Sequence, residues 1–287
     1  MVDLYVGPVR EHYIVHKELL CTKVPYFEAM FGGSNFREAL EGTASFPEDQ
    51  EVAFDLLLNW IYTGTIPPLL NKHKNGAKTF SSNVVDFYVL ADKFCLSELQ
   101  DRIIDACRAS LLAENALPTA DFTSYAYSQT SANSPLRKFA VVAARYTLRL
   151  EYENTVARYK LQQESANTVS RVEFGRSVHT FLENHKDIWS DILSLVKNSK
   201  ETRDPMNLPA CAFHRHGEKD DCYRVRGGKN ENASPKSKMS KIRDSKIRIP
   251  FHGFFEDEDE PKEEPQEELP ATFKEYVCHI YVELQES

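Results

Sequence analysis

Four residues able to ligate a soft metal ion fall within twelve positions of one another, Cys211-x2-His214-x-His216-x5-Cys222. Thiolate sulfur and imidazole nitrogen are the donors that structural zinc sites use, four at a time. If the segment is extended, His214 and His216 project from one face, because side chains two apart share a side of an extended backbone. The spacing is not that of a standard zinc finger. The four are therefore candidate zinc ligands, weighed against an ordinary Cys/His-containing stretch, with Cys278-His279 as a more distant source of a replacement ligand. Asp3, His16 and Lys17 are a second set: ionisable groups inside an otherwise apolar unit must find partners.

Catalytic motifs are missing. There is no GxGxxG after a strand, no GxxxxGK[ST], no GxSxG and no HExxH, so the chain is not expected to be an enzyme. The acidic run Glu256 to Glu260 reads as a solvated, self-repelling stretch rather than a divalent-cation site. The stretch Pro235 to Arg248, rich in Lys, Arg and Ser, has the character of a nuclear localisation signal or a phosphate-binding patch, although Asp244 interrupts it.

The elements that must carry these residues follow from the hydrophobic period. Leu4 and Val6 alternate, and Tyr13 and Val15 alternate beyond Gly7-Pro8, which predicts a hairpin of two short strands. From Lys17 the period becomes helical through Leu19, Leu20, Val24, Phe27 and Phe31, and Gly32-Gly33 ends it. Ala44 to Phe46 reads as a strand. Pro47, Glu48 and Asp49 then open a helix with apolar residues at Val52, Phe54, Leu56, Leu57, Leu58, Trp60 and Ile61, a density that predicts burial on most sides. After Pro67-Pro68, Asn71 to Asn83 reads as a polar loop. Val84, Phe87, Tyr88, Ala91 and Phe94 form the next helical stripe, and Ser97 with Gln100 reads as a capping box opening a helix through Leu111. Ser134-Pro135 predicts an N-cap followed by proline at the first helical position. Glu151 to Thr168 suits an exposed helix or a linker. Phe174 to Leu182 and Ile188 to Val196 predict one or two further amphipathic helices, and from about Lys200 the pattern dissolves into a tail expected to be disordered.

The first part of the chain resembles a BTB/POZ domain, in the form common in fungal proteins, over residues 2 to 112. The resemblance is carried by Asp3, Val6-Gly7, Val15-His16-Lys17, Leu20, Pro25-Tyr26-Phe27, Trp60, Tyr62-Thr63-Gly64 and Ala91-Asp92-Lys93-Phe94. Val24 departs from the family's usual serine before the proline, which predicts a weaker helix cap there. The expected fold is α+β: a BTB/POZ domain over 1–112 with a small sheet flanked by helices and with Phe27 and Trp60 in its core, a helical extension over 113–200, and a region over 201–287 holding the Cys/His cluster and a charged tail. The resemblance further implies a charged pocket made by Asp3 and Lys17, used in partner recognition or dimer packing, against which stands a plain stabilising ion pair. It also implies a docking surface around Tyr62 for a cullin of the ubiquitin-ligase scaffold class, and it supports zinc at Cys211, His214, His216 and Cys222, since similar clusters follow the helical extension in fungal relatives.

The implied function is a protein–protein interaction module acting as an adaptor for a cullin-type ubiquitin ligase. The alternative is a nuclear, transcriptional regulator that self-associates through the same domain. With 43 acidic against 35 basic residues the net charge is −8, which disfavours broad nucleic-acid affinity. No apolar run approaches the ~18 residues of a membrane span, and no signal peptide is legible, so the expected location is the cytoplasm, the nucleus or both. Six cysteines are too few for a disulfide scaffold, and Cys21, Cys95 and Cys107 fall in apolar helical patterns that predict buried thiols. Only Met1 and Val2 precede Asp3, where many animal BTB domains carry an exchanged strand and helix, so the expectation is a monomer or a weak homodimer.

Overall fold

The computed structural model describes residues 1–33, 36–72, 78–80, 83–161, 185–198, 202–216 and 222–226. Strands β1 (Val2–Val6) and β2 (Glu11–Val15) pair antiparallel with Leu4 opposite Tyr13, and β3 (Thr43–Phe46) joins β1 in parallel, giving the order β2-β1-β3. Gly7 begins the hairpin turn at φ +70, a conformation that side-chain-bearing residues avoid. As the central strand, β1 buries Val2, Leu4 and Val6 almost completely.

One helix was expected from Lys17 to Phe31, and two are present, α1 (Lys17–Lys23) and α2 (Pro25–Phe31). The break is at Val24, extended at φ −130 and ψ 101, because the ring of Pro25 excludes helical backbone from the residue before it. Val24 makes no side-chain capping bond, as its hydrocarbon requires, and it is instead fully buried. A short α3 (Arg37–Glu41), absent from the sequence reading, ends at Gly42 with φ +67 before β3.

These elements close around an aromatic cluster. The Phe27 ring lies 5.1 Å from Phe94, 5.8 Å from Phe46 and 6.2 Å from Phe31, centroid to centroid, and is completely buried. The expected burial of Trp60 is corrected: it is only half-buried, with the Lys23 ammonium 6.0 Å from its ring centre. Its helix, α4 (Glu51–Thr63), buries one side through Ala53, Phe54, Leu57 and Ile61 and leaves Val52 exposed. Helical geometry sends positions 53, 57 and 61 to one face and 52 away from it; position 60, seven after 53, lies at the edge of that face, where its large indole is only partly covered.

The polar loop expected over 71–83 contains a second sheet, β4 (Leu70–Lys72) paired with β5 (Lys78–Phe80). Helix α5 (Asn83–Lys93) leads through a turn at Cys95 into α6 (Ser97–Glu114). Cys21 and Cys107 are buried as expected, and burial pushes the Cys107 thiol upward, but Cys95 is exposed because it forms the left-handed turn at φ +57. The Ser97 capping box is also corrected. Leu96 holds the N-cap position without a side-chain bond, and the Gln100 amide donates to Asp92 Oδ1 at 3.2 Å.

Helix α7 (Ala120–Gln129) is capped by Thr119, whose hydroxyl accepts from the Phe122 amide at 3.2 Å. At α8 (Pro135–Leu161) the expected Ser134 cap is present, Oγ accepting from the Leu136 amide at 3.2 Å. The chain forms two compact units, one containing Met1–Ala140 and the described residues from Met206, the other containing Val141–Pro205. The Cys/His region expected to stand apart over 201–287 does not do so: its described residues from Met206 onward pack within the first unit. In the second unit α9 (Lys186–Asn198) buries Ile188 and Ile192, as its periodicity predicts. The helix expected over Phe174 to Leu182 and the charged tail lie outside the described residues.

A pH-dependent tie joins α7 to α5. The Tyr125 hydroxyl donates to Asp86 Oδ1 at 2.6 Å, and burial raises the Asp86 carboxyl above its ordinary range against the lowering effect of that bond. A raised carboxyl contributes stability that is present below its unfolded value, about 3.9, and lost as pH rises through the folded one. Asp86→Asn keeps an oxygen acceptor without the charge. It is expected to melt higher than the unmodified protein at pH 7, with the advantage fading below about pH 4; a lower melting temperature at pH 7 would show that the charge is favourable there.

Candidate metal centre and interaction surface

A turn of 3-10 helix, Ala210–Phe213, follows Pro209, and the His214 amide donates to the Cys211 carbonyl at 3.2 Å. That tight turn is what makes the x2 spacing useful, because it returns His214 to the side of Cys211. Extended backbone at His214 then carries His216 alongside, and a final turn, Tyr223–Arg226, delivers Cys222 from the other direction. One donor atom from each of the four lies within 4.8 Å of the other three.

The separations can be compared with what a metal would demand. With Zn–S near 2.3 Å and Zn–N near 2.0 Å, a tetrahedral ion spaces nitrogens about 3.3 Å apart, nitrogen from sulfur about 3.5 Å and the two sulfurs about 3.8 Å. Here His214 Nδ1 is 3.2 Å from His216 Nε2 and 3.5 Å from Cys222 Sγ. The donor set and these two edges fit zinc, and no other edge, each at most 4.8 Å, need close by more than about 1.3 Å.

Two carboxylates of α6 hold the segment, and one of them orients His214. Asp105 Oδ2 accepts from His214 Nε2 at 3.1 Å, from the Tyr223 hydroxyl, and from Arg224 Nε at 2.9 Å. An ionised carboxylate can only accept, so Nε2 carries the proton and the Nδ1 lone pair faces the other three donors. Burial pushes the Asp105 carboxyl up, but hydrogen bonds from His214 and Tyr223 and the charges nearby outweigh it, holding it below the usual carboxylate range. Asp101 Oδ1 accepts the Arg215 amide at 2.8 Å. Farther along α6, Arg108 donates to the carbonyls of Met206 at 3.2 Å, Leu208 at 2.5 Å and Pro209 at 3.3 Å. Phe213, buried, meets Phe139 with centroids 5.4 Å apart.

None of Asp101, Asp105 and Arg108 was singled out in the sequence. Their spacing of four and three places them on one helical stripe opposite Leu99, Ile103 and Cys107, which reads as an ordinary solvent face. Cys278-His279 lies outside the described residues, as does the segment Pro235 to Arg248.

At the opposite end of the sequence, Asp3 and Lys17 do not pair. Asp3 Oδ1 is 2.7 Å from His12 Nε2, across the hairpin, while Lys17 is exposed at the start of α1. The register explains this, because Asp3 stands opposite Ile14 and beside His12, whereas Lys17 has already left the sheet. Tyr62 is 47% exposed, as expected of an aromatic at the helix end. Its hydroxyl, however, is turned to His16, accepting the backbone amide at 3.1 Å and meeting Nδ1 at 2.9 Å, so that Tyr62 caps the first turn of α1 while its ring faces solvent.

Residues 2–111 match the family model of the BTB/POZ domain, and the sheet flanked by helices agrees with it. That domain is a protein–protein interaction module. No curated protein matches the chain. No helix among the described residues is long and apolar enough to cross a membrane.

Proposed function

We propose that this chain, whose residues 2–111 form a BTB/POZ domain, is an adaptor that docks a cullin-type ubiquitin-ligase scaffold through the surface around Tyr62. The observation that supports this reading is a large aromatic ring held in place yet open to solvent. Its hydroxyl bonds to His16 fix the side chain before any partner arrives, so binding it costs little ordering entropy. Lys17, the residue after His16, adds an exposed cation, and Asp3 enters through His12, the exposed ring that it holds. Tyrosines placed this way are common interface anchors.

Pull-down of a purified cullin by the full chain is the test. Tyr62→Ala is expected to weaken binding by about 30-fold, the equivalent of roughly 2 kcal/mol, and Tyr62→Phe, which keeps the ring and loses only the hydroxyl, to bind much more nearly like the unmodified protein. No binding by the unmodified chain discards the cullin. Loss of binding and of folding together in Tyr62→Ala assigns the residue to structure instead.

In the same unit, Cys211, His214, His216 and Cys222 are proposed to hold one zinc ion, which when bound supplies a structural cross-link between two short turns.

A further inference from the structure

We propose that the Cys/His centre is a metal-gated clasp closed on α6, the last helix of the BTB/POZ match, so that metal occupancy decides whether residues 206–216 and 222–226 cover that helix. The inference rests on the zinc reading above and goes beyond it, because a structural ion need not control anything.

All four ligands come from the covering segment and none from the BTB/POZ domain, yet His214 is aimed by Asp105 and the backbone between His214 and His216 is held by Asp101. The segment's described regular structure amounts to one turn of 3-10 helix and one helical turn. Elements this short do not hold themselves together in water. The metal is therefore what gives the segment a shape that α6 can grip.

The face it covers is of an unusual kind. Gln100, Asp101, Asp105 and Arg108 are each 9% exposed or less. A stripe of amide, carboxylates and guanidinium is readily rehydrated when uncovered, unlike an apolar stripe, and the grip on the segment is largely through hydrogen bonds, with Phe213 as its main apolar anchor. A cover that leaves a soluble surface behind can come off without taking the domain with it. What it exposes is an acidic and amide-bearing face on the domain's last helix.

The experiment is hydrogen exchange on the full zinc-loaded chain, before and after removal of zinc by a chelator, with metal content measured in both states. Exchange of the Ala212, His214 and Arg215 amides, bonded to Pro209, Cys211 and Asp101 respectively, is expected to rise at least about tenfold on zinc removal. Strands β1 to β3 should keep their protection. Asp105→Asn, folded with unchanged protection in those strands, is expected to lose zinc to a competing chelator about 10- to 100-fold more readily. A zinc-bearing protein whose 206–226 exchange does not change on zinc removal overturns the clasp alone. Equal loss of protection in β1 to β3 also overturns it, since the centre would then be part of the common core. A chain that carries no zinc overturns the clasp together with the reading beneath it.

Discussion

Replacing Phe27 by alanine is expected to cost about 3–5 kcal/mol, most of the stability of an ordinary domain, and to lower the melting temperature by about 10 °C or more. Phe27 is completely buried and its ring is surrounded by Tyr26 and Phe31 of α2, Phe46 of β3 and Phe94 just after α5, so truncation leaves a cavity that no single neighbour can fill. Trp60→Ala provides the contrast. Trp60 is only half-buried, at the edge of the covered face of α4, and the loss should be clearly smaller. Urea unfolding of the two variants side by side measures the difference; a Phe27→Ala midpoint equal to that of the unmodified protein would remove Phe27 from the core.

The second large effect concerns the metal. Protein prepared without chelator should carry about one zinc per chain, and Cys211→Ser/Cys222→Ser should carry almost none, because serine hydroxyls stay protonated at neutral pH and cannot replace thiolates. Zinc supplies about 10–16 kcal/mol to the folding of isolated finger peptides, so even a fraction of that would dominate the stability of the covering segment. Metal analysis by mass spectrometry reads the result directly, and an unmodified chain without zinc rules the site out.

The strands and most helices of the BTB/POZ domain were legible because one-sided burial writes a period into the sequence: Leu4 and Val6 for a strand, Val84, Phe87, Tyr88 and Ala91 for a helix. Trp60 is less buried than expected because periodicity puts it beside Ala53 at the edge of the core-facing side, and periodicity does not say how far neighbouring elements reach over that edge. The β4–β5 pairing escaped because its strands are three residues each, too short to show alternation. The four metal-ligand candidates were visible from residue type and spacing. The groups that aim them were not, since Asp101, Asp105 and Arg108 carry the same pattern whether they face water or another segment. The ion pair of Asp3 shows a related limit: the resemblance implied a pocket shared with Lys17, whereas the contact Asp3 makes is decided by cross-strand register, which gives His12.

The bond between Asp105 and His214 spans 109 residues, and that interval has a meaning during synthesis. A ribosome adding roughly 5–20 residues per second finishes α6 on the order of ten seconds before His214 emerges. The nascent domain therefore spends its first moments with the Asp101, Asp105 and Arg108 stripe bare. Had the stripe been leucine and phenylalanine, each newborn chain would have shown its neighbours on a polysome an adhesive surface. Being ionic, it lets the domain wait for its own C-terminal segment in solution.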